Sequence, residues 1–238
     1  MSTNMKSPEL LREEARIKTA YKERVKPAGY YSWFDPGNLF VVHEREKILL
    51  KALRQHGRDP LAGNRFLEVG CGSGHWLREF IKWGVSPADV TGIDLRPDAI
   101  AIASRLCPPG VTLQCSSGSA LNFQDESFDL VLQSMVFTSV LDERMRQQMA
   151  REMIRVVKKS GLMIWYDFFV DNPWNPDVRG VRKAEIKRLF PGCHIELERV
   201  SLALPLTKML APWSWMTCHL LSRMRFLNTH YLGLIQKR

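Results

Sequence analysis

The sequence has no apolar run long enough to cross a bilayer. The apolar stretch Met209–Ser222 runs 14 residues without charge but is broken by Pro212 and His219, where a spanning helix needs about 20. The opening MSTNMKSPELLREEAR holds no apolar signal core. The five cysteines, at 71, 107, 115, 193 and 218, include no CxxC pair and no histidine at metal-ligand spacing. Neither a disulfide framework nor a metal site is therefore expected, and scattered thiols fit a reducing, cytoplasmic setting. Acid is missing from one region: Arg199 to Arg238 holds six basic residues and no Asp or Glu. The whole chain of 238 residues has 34 Lys+Arg against 25 Asp+Glu, a net +9. Such an excess bears on partners rather than on fold. An anionic substrate, a membrane surface, nucleic acid or a solvated basic face would each account for it. The rest is ordinary, with 45% hydrophobic and 25% charged residues, which excludes disordered, collagen-like and coiled-coil chains.

Hydrophobic periodicity divides the chain in two. The first 27 residues read as a charged amphipathic helix ending before Pro27, followed by an aromatic loop, Tyr30-Tyr31-Ser32-Trp33-Phe34, and a turn at Asp35-Pro36-Gly37. Leu39, Val42, Leu49 and Leu53 recur at helical spacing, so 39–56 is a second helix. From Arg65 short apolar strands alternate with helices: strands at 65–69, 90–94, 111–115, 128–133 and 162–170, helices at 73–82, 97–106 and about 145–156. Lys159-Ser160-Gly161 should stop the last of these helices. This order predicts a parallel sheet wrapped on both faces. Two long strands, His194–Leu204 and Thr229–Gln236, follow a short helix at about 180–189, with an apolar, Trp-containing and helical insertion at about 206–226 between them.

The sharpest signal is Phe66-Leu67-Glu68-Val69-Gly70-Cys71-Gly72-Ser73-Gly74, a strand running into three alternating glycines and then a helix. Glycine lets the backbone turn tightly and approach a ligand, and the helix N-terminus beyond offers free N–H groups. A dinucleotide fingerprint, GxGxxG, would need glycine at 75, where the chain has His75. Glu68 suits a cationic group such as an α-ammonium better than a pyrophosphate. Asp94, at the tip of the second strand, is placed to accept both hydroxyls of a ribose.

Together these residues resemble class I S-adenosylmethionine-dependent methyltransferases over roughly residues 64–170. The resemblance implies a Rossmann-like α/β fold: a seven-stranded, mostly parallel sheet, helices on both faces, an N-terminal helical lid over residues 1–60, and a methyltransferase domain over 61–238 closed by an antiparallel strand pair with the insertion between its strands. It implies S-adenosylmethionine as cofactor and S-adenosylhomocysteine as product. By motif position it assigns Glu68, Gly70, Cys71, Gly72 and Gly74 to the methionine part, Asp94 to the ribose, Leu95, Ser119 and Ala120 to the adenine side, and Gln133 to the crevice. Ser119 stands where many relatives carry an Asp. Asp125–Val131 and Arg155–Gly161 resemble the family's approaches to its fourth and fifth strands.

The acceptor is less legible. The fourth strand ends Leu132-Gln133-Ser134-Met135-Val136-Phe137, with neither the [Asp/Asn]-Pro-Pro-aromatic nor the Pro-Cys that families methylating nucleic-acid bases resemble, so nucleic acid is not the expected acceptor. A small molecule or glycan is, with O-methylation ahead of N-methylation. A peptide, protein or lipid-linked acceptor is the alternative, and a nicotinamide oxidoreductase or a non-catalytic nucleotide-binding module a further one. Asp167, near the end of the fifth strand, is the candidate catalytic base or substrate anchor, or a turn acid. Tyr30, Tyr31, His43, Thr138, Trp213 and His219 are the substrate candidates. The insertion reads as a lid, as core packing or as a peripheral membrane contact.

Overall fold

A computed structural model describes residues 7–24, 27 and 29–238. The expected first helix is α1, Pro8–Glu23, with Ser7 as N-cap and Pro8 in the first turn; the rest of that expectation, at residues 1–6, 25 and 26, lies outside the described residues. Asp35 caps α2, Pro36–Gln55, its Oδ1 accepting from the Gly37 and Asn38 amides at 2.8 and 2.9 Å. Such caps satisfy donors that a helix start leaves orphaned.

The alternating region forms β1 (Phe66–Val69), α3 (His75–Lys82), β2 (Val90–Asp94), α4 (Pro97–Leu106), β3 (Thr112–Cys115), β4 (Phe128–Ser134), α5 (Glu143–Val156) and β5 (Val157–Phe168). Then come α6 (Lys183–Leu189), β6 (Cys193–Leu202), α7 (Leu204–Leu210), α8 (Trp215–Ser222) and β7 (Asn228–Lys237). The seven strands lie in the order β3-β2-β1-β4-β5-β7-β6. β1 to β5 are parallel, and β7 runs antiparallel between β5 and β6. This is the mostly parallel Rossmann-like sheet that the sequence predicts, with the insertion between β6 and β7.

Apolar clusters cover both faces. On one face Val69, Val131 and Trp165 meet Met145, Met149 and Met153 of α5 and Leu10 and Ile17 of α1. On the other, Leu132, Ile164 and Tyr166 meet Leu49 and Leu53 of α2 and Trp76 and Phe80 of α3. A third cluster seats α7 and α8 on Phe40 of α2 through Leu206, Leu210, Ala211, Trp215 and Cys218.

Two expectations need correcting. No free-standing turn separates α5 from β5, because the strand begins at Val157, directly after the helix. The pairing jumps from Phe128↔Val157 to Leu130↔Leu162, so Lys158 to Gly161 are taken up as a bulge within β5. Lys158 pins it, its Nζ sitting 2.8 Å from both oxygens of Asp129. The insertion is two short helices rather than one, broken around Pro212, whose ring has no N–H to continue a helix.

Candidate functional site

The glycine loop turns off the buried end of β1. The amides of Gly70 and Cys71 both donate to the Ile93 carbonyl at 2.8 Å, which ties the loop to the end of β2. Gly70, Gly72 and Gly74 have φ of +77°, +54° and +76°, a region that side chains with a Cβ disfavour. A Cβ on Gly70 would run into Val136, and one on Gly74 would lie 2.7 Å from the Cys107 sulfur. At Gly72 a Cβ would meet nothing within 4 Å, so this glycine borders open space. Gly74 precedes α3, whose first turn has no side-chain cap.

Asp94 braces the loop from the side. Its Oδ2 accepts from the Gly72 amide at 2.8 Å and its Oδ1 from the Arg96 amide at 2.9 Å. Each carboxylate oxygen keeps a second lone pair, so two hydroxyls can still be accepted. Leu95 is half-buried beside it; Ser119 is buried, with its hydroxyl 2.9 Å from that of Ser117, and Ala120 is exposed. Cys71 is buried and its thiol is pushed up by that burial, so it is a small apolar wall rather than a nucleophile.

Two buried polar atoms at the ends of β1 and β4 lack partners: Glu68 Oε2 and Gln133 Nε2. Leaving such atoms unpaired is costly. The other side of the Glu68 carboxyl accepts from the Leu77 amide in α3, while burial first and the nearby Asp94 second push this carboxyl well above the usual range. Gln133 is anchored through Oε1, which accepts from the Val136 amide at 3.3 Å. The register pairs Glu68 with Leu132 and Val69 with Gln133, so the two side chains leave the sheet on opposite faces; an ammonium would supply a donor for Glu68, and a carboxylate an acceptor for Gln133. The residues present thus fit the methionine part, and Asp94 the ribose, of S-adenosylmethionine.

The comparisons with known proteins agree. Residues 66–161 match the family model described as a methyltransferase domain. Over those residues the chain is similar to methyltransferase domains. The chain is 35% identical over 116 residues to a 2-methyl-6-phytyl-1,4-hydroquinone methyltransferase from Synechocystis, covering 47% of this chain and 35% of the relative. It is 32% identical over 146 residues to a ubiquinone biosynthesis O-methyltransferase from Azorhizobium caulinodans, covering 56% and 55%. The chain therefore spans only a third to about half the length of these curated relatives. In fold it is similar to the crystal structure of an S-adenosylmethionine-dependent methyltransferase, possible histamine N-methyltransferase, from Thermotoga maritima, with a TM-score of 0.61 at 16% identity over 94% of this chain and 99% of that one.

The remaining candidates divide into four places. Asp167 is fully buried and accepts from the Thr138 hydroxyl at 2.6 Å, the Thr138 amide at 3.1 Å and the Phe168 amide at 3.0 Å. Burial raises its carboxyl to about 6. Thr138 is thus committed to Asp167 rather than open to the crevice. Tyr30 and Tyr31 meet edge to face, and Lys208 of α7 lies over the Tyr30 ring and bonds its carbonyl. His43 and His219 flank the contact between α2 and α8: His43 stands by Trp215, and His219 by Phe40 and 3.2 Å from the Glu44 carboxylate. Trp213 projects into solvent, 88% exposed.

What α2 does present to the loop is Arg45, which the sequence reading passed over. Its guanidinium lies 3.1 Å from His75 Nε2, 4.5 Å from the Trp76 ring centre and 5.4 Å from that of Tyr166. Burial and then the Arg45 charge push His75 down to about 4, so the ring is neutral near pH 7 and Nε2 accepts from Arg45. Trp33 of the aromatic loop also reaches His75, at 6.1 Å between rings. Among the described residues no group of His, Cys, Asp and Glu is arranged to hold a metal, and no helix is long and apolar enough to cross a membrane.

α1 lies across the loop after β4. Glu13 accepts from the Leu141 amide at 2.6 Å, Arg16 donates to the Ser139 carbonyl at 2.7 Å, and the Tyr21 hydroxyl is 3.1 Å from that of Ser139. Arg96, whose amide donates to Asp94, stacks on the Tyr21 ring at 4.5 Å.

Proposed function

We propose that this chain transfers the methyl group of S-adenosylmethionine to a hydroxyl of a small biosynthetic molecule or glycan intermediate, with α1 and the aromatic loop forming the lid. The observation that carries the cofactor half is the glycine turn braced by Asp94, with the unpaired Oε2 of buried Glu68 on the strand that leads into it. The bound sulfonium supplies an activated methyl and a neutral leaving group. The protein's contribution is then to hold the acceptor in line and exclude water. In this reading Glu68 and Gln133 hold the amino-acid end, Asp94 the ribose, and Leu95, Ser119 and Ala120 border the adenine. Val136 stands against Gly70 and brings the loop after β4 to the reacting end. Asp167 acts as a positioning residue: its three bonds fix Thr138 and hence that loop, and a carboxylate so engaged is poorly placed to take a proton from an acceptor.

The hydroxyl rests on different support. One curated relative is named an O-methyltransferase and another acts, by its name, on a hydroquinone. The end of β4 lacks the Pro-containing motifs of base methylation, and both relatives' names point to apolar ring substrates.

The test is calorimetric titration with S-adenosylmethionine, S-adenosylhomocysteine and NAD, followed by transfer of labelled methyl to hydroquinones, catechols, glycans, peptides and tRNA. Binding of the sulfur nucleosides with label in small hydroxylated molecules is the expected result. Label confined to peptide or RNA overturns the acceptor, and tight NAD binding without S-adenosylmethionine overturns the whole reading.

A further inference from the structure

The exposed face of the C-terminal insertion has no function in the reading above. α8 is apolar on both sides. Cys218, Trp215 and Leu221 turn inward to Phe40, while Met216 and Leu220, four residues apart on the opposite side, are 68% and 54% exposed. A helix apolar all round is normally covered. Met209, Trp213, Met224 and Phe226 extend this surface, with Trp213 and Phe226 88% and 76% exposed. The aromatic loop adjoins it, since Lys208 of α7 bonds the Tyr30 carbonyl at 3.1 Å. That loop adds Tyr31, Trp33 and Phe34, the last 97% exposed. Nine of the fifteen large exposed hydrophobic side chains among the described residues therefore come from these two neighbouring segments, a clustering that marks an interaction surface.

Its charge is mostly of one sign. Lys208, Arg223 and Arg225 stand among these side chains, and no acid occurs from Arg199 to Arg238. Arg223 and Arg225 are exposed, and among the described residues no ion pair is found to either. Of the nearby acids, Asp35 caps α2 and faces Lys208 at 3.7 Å, and Glu44 faces His219 and Lys47; Glu198 lines the cleft that Arg223 and Arg225 border, so the basic side chains outnumber the acids here.

We propose that this face docks on an anionic lipid surface. Trp, Phe and Met tips standing out singly suit insertion between head groups, and arginines beside them suit lipid phosphates. A second copy of the chain is a poorer occupant, because a two-fold contact would set Arg223 and Arg225 against the same unpaired charges. Trp33 joins this face to His75 at the glycine loop, so docking would put the mouth of the cofactor cleft at the bilayer, where an apolar acceptor is dissolved. The docking itself does not depend on methyl transfer.

The test is co-sedimentation of the full chain with phosphatidylglycerol-containing vesicles and with pure phosphatidylcholine vesicles at low and high salt. Two variants accompany it: Met216→Ser/Leu220→Ser/Phe226→Ser and Arg223→Glu/Arg225→Glu. Binding to the anionic vesicles, weakened by salt, and a loss of roughly tenfold or more in each variant are expected. S-adenosylhomocysteine affinity and the thermal midpoint report whether each variant is folded. If the triple variant does not fold, the charge-reversed pair, at exposed positions, decides alone. Absence of vesicle binding at low salt, or equal binding by wild type and charge-reversed protein, overturns the proposal. So does a concentration-dependent dimer in ultracentrifugation that the variants abolish, which would give the face to a second copy. Soluble acceptor turnover is unaffected by any of these results, so failure here and failure of the methyl-transfer reading are distinguishable.

Discussion

Replacing Glu68 by Gln should separate stability from cofactor affinity, moving them in opposite directions. In the free protein Glu68 is buried, one of its oxygens is unpaired, and its carboxyl is pushed well above the usual range by burial and by Asp94. It therefore retains a proton to higher pH than an ordinary glutamate. Glutamine keeps an acceptor for the Leu77 amide and removes the ionisable group, so the thermal midpoint should stay level or rise. Affinity should fall. A charge-assisted bond to an ammonium is worth about 1.5–3 kcal/mol, which is roughly ten- to a hundredfold in Kd. The proton makes the prediction specific. A carboxylate holding an ammonium must be deprotonated, so binding to wild type releases as much as about one proton below the raised pKa. Kd then falls as pH rises, with a limiting slope of about one log unit per pH unit. Titrating S-adenosylhomocysteine in buffers of different ionisation enthalpy counts that proton. Wild type should release it and Glu68→Gln should not. Identical proton counts in both proteins, or undiminished affinity in the variant, would refute the placement of Glu68 against the cofactor's amino group.

Asp167→Asn should flatten one part of the pH–stability curve. The folded carboxyl is raised from 3.8 to about 6, so the folded state binds its proton more tightly and stability falls as pH rises across that interval. The loss relative to Asp167→Asn is on the order of 3 kcal/mol, and denaturant melts at pH 4 and pH 6.5 that keep a constant difference would show that Asp167 is not the buried group supposed. Gly72→Ala should cost only about 1 kcal/mol of stability, from its positive φ, yet weaken S-adenosylhomocysteine binding, because the new methyl points into open space. Gly70→Ala should instead unfold the protein more readily, because its methyl meets Val136; melts and titrations of the two variants check the contrast. Arg45→Met keeps a long apolar stem beside Trp76 and removes the charge beside His75. The His75 ring, now at about 4, should titrate higher by NMR, and an unmoved value would mean that the Arg45 charge does not reach it.

The parallel half of the fold was legible because each strand there is a short apolar run bounded by turn residues and each helix shows a 3.6-residue stripe. The glycine loop and Asp94 were legible for a different reason: their chemistry is local, a tight turn and an acid at a strand tip. Residues whose role depends on distant partners were not. Arg45 sits within Glu44-Arg45-Glu46-Lys47, which reads as a solvated face. Yet Val42, Arg45 and Leu49 share helical spacing, a signal that Arg45 lies along the buried stripe of α2. His43, two residues away, points about 200° around the helix and meets Trp215 instead. The sealing of Asp167 by Thr138 was equally hidden, since its position at the end of β5 is the same whether the carboxylate faces the crevice or a neighbouring loop.

The contacts of α1 tie the two ends of the cleft together. Glu13, Arg16 and Tyr21 hold the loop after β4 through Leu141 and Ser139. Tyr21 also lies under Arg96, whose amide holds one oxygen of the ribose acid Asp94. Asp167 holds the same loop from inside through Thr138, and Arg146 holds it through the Val140 carbonyl while paired with Glu185. The loop is thus rigid from within and capped from without by one helix. The Asp167 and Arg146 anchors involve no residue of α1, whose Leu10 and Ile17 are themselves packed into the core, so these anchors hold the loop independently of that helix. In the proposed reading of α1 as the lid, a fixed floor under a cover is what in-line transfer requires: the acceptor is aligned by the floor, and water is excluded while the cover is down.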